Sequence, residues 1–218
     1  MHSPLSEFYD PSRKKICLLD DNVLGCRYWR EILEELIKTG KPFKFKQGMD
    51  ERLLTDEKCR ILFNAKYDGD YTFAFDNVED YKLIQSKLEI IRKYYKSKNI
   101  KFYVLVGFLS TDHIDIENAF KRISLLQKYQ CVPYLMRYQN KNDTPWRKSK
   151  YVGMYVTLAR WCNQPSIFKK MSFRQFCEAN QLRHKTKGTL CSAMKSMVDF
   201  ESEHPEIAKQ YFDIRFER

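Results

Sequence analysis

No run of about 18 uncharged apolar residues occurs anywhere in the sequence, so no helix is expected to span a membrane. The start, Met1-His2-Ser3-Pro4-Leu5-Ser6-Glu7, lacks the basic-then-apolar pattern of a secretory leader. These two absences give the expectation of a soluble, cytoplasmic chain. No Cys-x2-Cys pair is present and no Cys/His group has zinc-ligand spacing. The seven cysteines (Cys17, Cys26, Cys59, Cys131, Cys162, Cys177 and Cys191) are odd in number and irregularly spaced, which argues against a disulfide framework. Reduced core thiols are expected instead. The four histidines, His2, His113, His184 and His204, are scattered and form no motif.

What is present is a globular composition: 218 residues, 43% hydrophobic and 31% charged, with 15 Phe and 14 Tyr. That is enough apolar material for a core and too much for a disordered chain. Lys and Arg number 39 against 28 Asp and Glu, a net charge of +11. The excess is spread out: residues 1–150 carry 28 basic and 21 acidic side chains (+7), and residues 151–218 carry 11 and 7 (+4). A basic surface of this kind attracts nucleic acid, anionic cofactors or acidic partners, or is simply solvated.

One pattern recurs along residues 1–140: a short β-branched or aromatic run, a polar end, then an amphipathic helix. The runs are Lys15–Leu19, Phe43–Gln47, Tyr71–Phe75, Phe102–Val106 and Val132–Met136. Their starts lie about thirty residues apart, the length of a βαβ unit. Helices are expected near 27–38, 56–66, 79–95 and 114–129, with Gly40 stopping the first and Thr55 capping the second. Strand–helix alternation without hairpin signals predicts parallel strands with helices packed outside. Lys44 and Lys46 make the second strand an exception, either at an exposed edge or facing a polar cleft. Residues 140–149 read as a loop. The 141–218 region is expected to be a helical extension, with helices near 150–162, 172–182, 188–200 and 205–213 and a Ser172/Gln175 capping box.

Ligands of parallel α/β folds bind where the carboxyl ends of strands feed into loops. The candidate residues are therefore Asp20, Asp21 and Asn22; Gln47, Asp50 and Arg52; Asp76 and Asn77; Gly107 with Ser110, Thr111 and Asp112; and Arg137, Tyr138 and Gln139. Several have a plainer reading. Asn22, Asn77 and Asp112 also suit turns and caps, Gly107 a positive φ angle, and Arg52 a solvated helix start. The adjacent carboxylates of Asp20 and Asp21 repel each other unless something cationic lies nearby.

These strand ends resemble those of radical S-adenosylmethionine (SAM) enzymes, whose core is a partial (β/α)6 barrel. Leu18-Leu19-Asp20-Asp21-Asn22 is similar to a variant of the family's second-strand motif, which binds the amino group of SAM. Phe45-Lys46-Gln47-Gly48-Met49-Asp50-Glu51-Arg52-Leu53-Leu54-Thr55-Asp56 resembles the third strand and the helix start that follows. Phe73–Asn77, Val104–Phe108 with Thr111-Asp112, and Met136-Arg137-Tyr138 match the fourth, fifth and sixth strand ends. The resemblance spans residues 14–139 and lies in the ordered set.

It implies an α/β fold: an incomplete parallel (β/α) barrel of about five strands with a helical C-terminal extension. It also implies SAM as cofactor, with Asp20, Asp21 and Asn22 at the methionine amino group and Gly107 by the adenine. Arg137 and Tyr138 would meet the SAM carboxylate or the substrate, and Gln47, Asp50, Arg52 and Asp76 the ribose or substrate, with Asn77 beside them.

The family's Cys-x3-Cys-x2-Cys is missing from the sequence. A [4Fe–4S] cluster would then have to come from a missing N-terminal segment or a partner chain, and without it the isolated chain would not cleave SAM. The lost unit would leave the edge of the first strand unpaired. Two other functions stay open. One is nucleic-acid binding through Arg137–Lys150 and Lys169–Lys187, where basic side chains sit beside aromatics. The other is a non-catalytic scaffold on a decayed barrel.

Overall fold

Short β-branched and aromatic runs become parallel strands here because amphipathic helices cover them. The computed structural model describes residues 4–19, 22–97 and 99–217. The strands are β1 (Ile16–Leu18), β2 (Phe43–Phe45), β3 (Tyr71–Ala74), β4 (Ile100–Val106) and β5 (Val132–Arg137). They form two parallel sheets, β1-β2 and β3-β4-β5, and the described residues build no closed barrel. Asp20 and Asp21 lie outside the described residues. Among the described residues no helix is long and apolar enough to cross a membrane.

The chain divides into two compact units, Met1–Ala74 with Asp80–Lys101, and Phe75–Glu79 with Phe102–Arg218. In unit 1, β1 and β2 pair in the register Ile16↔Phe43, Cys17↔Lys44 and Leu18↔Phe45. Among the described residues β1 pairs on one side only, and Leu19 beyond it is 74% exposed. β2 has neighbours on both sides. Phe43 N–H donates to Lys66 O at 3.0 Å, and Asp68 N–H donates to Phe43 O at 2.8 Å. Lys44 is therefore not at an edge; it lies half-buried on the face opposite Phe43 and Phe45.

Past Phe45 the chain leaves strand geometry at Lys46–Gly48. It rejoins as a single bridge, Met49↔Phe73, with Met49 N–H on Thr72 O at 2.8 Å. That excursion separates the two sheets.

Helices α1 (Trp29–Lys38), α2 (Asp56–Leu62) and α3 (Tyr81–Tyr94) cover these strands. α1 buries Ile32, Leu33 and Leu36, one face at helical spacing, and ends at Gly40 with φ +69°. The Thr55 side chain caps α2 by accepting from Lys58 N–H. Tyr67 stacks on Tyr71 at 3.9 Å, and Phe63 meets Tyr71 edge-on at 4.7 Å, an aromatic wedge beside the buried Phe43 and Phe73. Each fully buried Leu or Phe contributes roughly 1.5–3 kcal/mol.

In unit 2, Phe102, Val104 and Val106 of β4 alternate inward. Helix α4 (His113–Lys128) starts at Asp112, whose carboxylate accepts from Ile114 N–H and Asp115 N–H. β5 is flanked by α6 (Val152–Cys162). Just past α6, Asn163 bonds both backbone groups of Leu135: Oδ1 accepts from Leu135 N–H at 2.7 Å and Nδ2 donates to Leu135 O at 3.1 Å. One side-chain amide thus stands in for a neighbouring strand.

The region expected as a loop holds α5 (Pro145–Lys148), a single turn begun by proline at its first position. Beyond α6 come α7 (Pro165–Phe168), α8 (Phe173–Leu182), α9 (Ser192–Glu203) and α10 (Pro205–Tyr211). The Ser172/Gln175 capping box is present in full. Trp161, Phe168, Phe173, Phe200 and Phe212 are packed as core.

Candidate functional site

Each unit gathers its own strand ends. In unit 1, Asn22 follows β1, and Asp50, Glu51 and Arg52 follow β2. Asn22 Oδ1 accepts from Asp50 N–H at 3.4 Å, and Glu51 Oε2 accepts from Ala74 N–H, at the end of β3, at 3.2 Å. Three consecutive strand ends are thereby tied at one rim. Asp50 caps the short turn Glu51–Leu53 and takes a two-pronged contact from Arg52, Nε at 2.8 Å and Nη2 at 2.9 Å. That hydrogen-bonded guanidinium holds the Asp50 carboxyl below its usual range, and Asp50 in turn raises Arg52. Gln47 is exposed at the same end of β2.

Glu51 is the residue that sequence reasoning passed over. It is 4% exposed, and burial pushes its carboxyl up to about 7. Its position between two polar residues gave no sign of burial; only the turn at 51–53, which rotates Glu51 inward and Arg52 outward, produces it.

In unit 2, Asp76 Oδ1 accepts from Leu105 N–H of β4 at 3.1 Å. Arg122, 2% exposed on α4, gathers three carbonyls on Nη1: Phe75 O at 3.0 Å, Asp76 O at 2.6 Å and Leu105 O at 2.9 Å. Burial draws its guanidinium down to about 10, against the opposing charges of Asp115 and Asp76. Seven residues before it on α4, Asp115 Oδ2 accepts from Gly107 N–H at 2.8 Å and Tyr155 O–H at 2.7 Å, and burial raises its carboxyl. The i, i+7 spacing of Asp115 and Arg122, which puts them on one face of α4, was the available signal for these two residues.

Gly107 has φ +70°, and a Cβ there would stand 2.9 Å from the Cβ of Trp146. The face expected to border an adenine is filled by that tryptophan. Arg137 lies over the Trp146 ring at 4.5 Å and Arg147 at 5.4 Å, while the Trp146 Nε1 is buried without an acceptor among the described residues. Tyr138 meets Phe108 ring to ring at 4.7 Å. Asn77 is exposed after β3. The predicted residues thus fall into two groups: Asn22, Gln47, Asp50 and Arg52 in unit 1, and Asp76, Asn77, Gly107, Arg137 and Tyr138 in unit 2.

No three His, Cys, Asp or Glu side chains among the described residues converge for a metal. Burial pushes the Cys59 and Cys177 thiols up to about 12 and raises Cys162 as well. The described cysteines do not fit the three-thiolate site of an iron–sulfur cluster. Comparison of the chain with protein families, with curated proteins and with solved structures gives no match.

Proposed function

We propose that this chain is the SAM-binding side of a radical SAM-type enzyme, acting on a substrate yet to be identified. On this reading the cluster thiolates come from a partner chain or a further segment, and the chain's own part is to bind and orient SAM. The observation that carries it is the rim of unit 1, where Asn22, Asp50 and Glu51 are joined to the end of β3 by the Asn22–Asp50 and Glu51–Ala74 hydrogen bonds.

The donor set there suits the polar groups of SAM. Asp50 is an acceptor for an amino group or a ribose hydroxyl, and the buried Glu51 holds the rim to the end of β3. The Asp50 contact uses Nε and Nη2 of Arg52, which leaves Nη1 for a carboxylate. Gln47 adds an exposed amide at the same strand end.

Equilibrium dialysis of the purified chain against radiolabelled SAM tests the reading. One SAM per chain is expected, with affinity lowered about tenfold or more by Arg52→Ala, the loss of a charge-assisted contact. No saturable binding at millimolar SAM, or binding untouched by Arg52→Ala and Glu51→Ala alike, overturns it.

A further inference from the structure

We infer that the loops following β4 and β5, together with α5, bind single-stranded nucleic acid. A base would lie on the Phe108–Tyr138 pair, with neighbouring phosphates on Arg137, Lys141 and Arg147. This surface lies wholly within unit 2 and does not rest on the SAM reading.

The aromatic half is laid out at the surface. Phe108 is 53% exposed and Leu109 beside it 81% exposed, on a loop that turns at Gly107 through a positive φ. Tyr138 supports Phe108 at 4.7 Å, and its backbone N–H on Val106 O at 2.8 Å fixes it to the end of β4. An exposed, braced aromatic pair gives a nucleobase a flat apolar face at little cost in side-chain ordering.

The charged half adjoins it in sequence. Residues 137–150 carry five basic side chains, Arg137, Lys141, Arg147, Lys148 and Lys150, against the single acidic Asp143. Two of the five are already neutralised: Lys148 by Asp143 at 2.9 Å and Lys150 by Glu203 at 2.9 Å. Arg137, Lys141 and Arg147 are exposed and have no carboxylate partner among the described residues.

Arg137 and Arg147 both lie over the Trp146 ring, at 4.5 and 5.4 Å, which gathers two cations at one aromatic side chain. The Trp146 Nε1 itself is buried and has no hydrogen-bond partner among the described residues. The acidic groups nearby are committed elsewhere. Asp112 caps α4, and Asp115 is held by Gly107 and Tyr155. Charge alone would fit any polyanion; the exposed rings next to it single out one that carries bases.

Fluorescence anisotropy of the full chain, without SAM, tests this with labelled 12-nucleotide oligouridylate and oligothymidylate, a 12-base-pair duplex, and polyglutamate as competitor. Tighter binding of the single strands than of the duplex is expected. Three phosphate contacts imply a salt slope near −2, about a twentyfold loss between roughly 50 and 200 mM salt. Phe108→Ala is expected to lower affinity on the order of tenfold with the slope unchanged.

Arg137→Gln with Arg147→Gln is expected to flatten the slope by about 1.4. The two sugars serve as arms: preference for RNA or DNA assigns the strand type, and either supports the inference. No salt-dependent binding, equal binding of the duplex, equal displacement by polyglutamate, or full affinity in a folded Phe108→Ala chain overturns it. An unchanged melting curve establishes folding of each variant, as expected for exposed side chains.

Discussion

The Tyr155 hydroxyl donates to the Asp115 carboxylate at 2.7 Å, onto the same oxygen that receives the Gly107 N–H. A side chain of α6 thereby fixes the helix residue that holds the turn after β4. Burial and the neighbouring Asp115 charge raise the Tyr155 phenol well above its usual range, so it stays a donor at all working pH values. Tyr155→Phe removes the hydroxyl and keeps the ring in the core. A loss of about 1.5–3 kcal/mol is expected, the range for a hydrogen bond to a charged group. Urea unfolding monitored by circular dichroism measures it, and an unshifted midpoint rejects the assignment.

Glu51 gives a pH dependence with a definite sign. Burial raises its folded pKa to about 7, above the ordinary value of 4.5. Between those two values the folded chain binds the proton more strongly than the unfolded chain, so stability falls as pH rises. The contribution is fully present below about 4.5 and is lost by the time pH passes about 7, a change of up to about 3 kcal/mol. Glu51→Gln keeps the buried shape and abolishes the titration. Melting temperature measured from pH 5 to 8 should decline more steeply in the parent than in the variant; parallel curves would contradict the burial argument.

Gly107 is held by two independent constraints. Its φ of +70° disfavours a side chain by about 1–2 kcal/mol, and the 2.9 Å approach of Trp146 Cβ leaves no room for one. Gly107→Ala is expected to destabilise by about 2–4 kcal/mol, combining the two costs. Gly40→Ala provides the contrast, since φ there is also positive but nothing lies within 4 Å. Equal losses at the two positions would show that Trp146 plays no part.

The order of the elements was legible because each depends on local chemistry. Thr55 and the Ser172–Gln175 box announce helix starts, Gly40 a stop, and the aromatic and β-branched runs the strands. The parallel arrangement followed from alternation alone. The gap between the two sheets did not, because it depends on Lys46–Gly48 leaving strand geometry before Met49 rejoins Phe73. α5 was read as loop because a single turn has too few residues for periodicity, although Pro145 marked its first position.

At the candidate site, polar strand ends could be named one by one. Their partners could not. Arg122 reaches back 46 and 47 residues to the carbonyls of Asp76 and Phe75, and Trp146 fills the face of Gly107 from 39 residues away. Contacts at that range are fixed by packing rather than by spacing.

The edges of β1 and β5 are finished differently. Leu135 on β5 has both its peptide groups occupied by the Asn163 amide, while β1 pairs with β2 and, among the described residues, with nothing beyond. An added strand would therefore find one border capped and the other receptive.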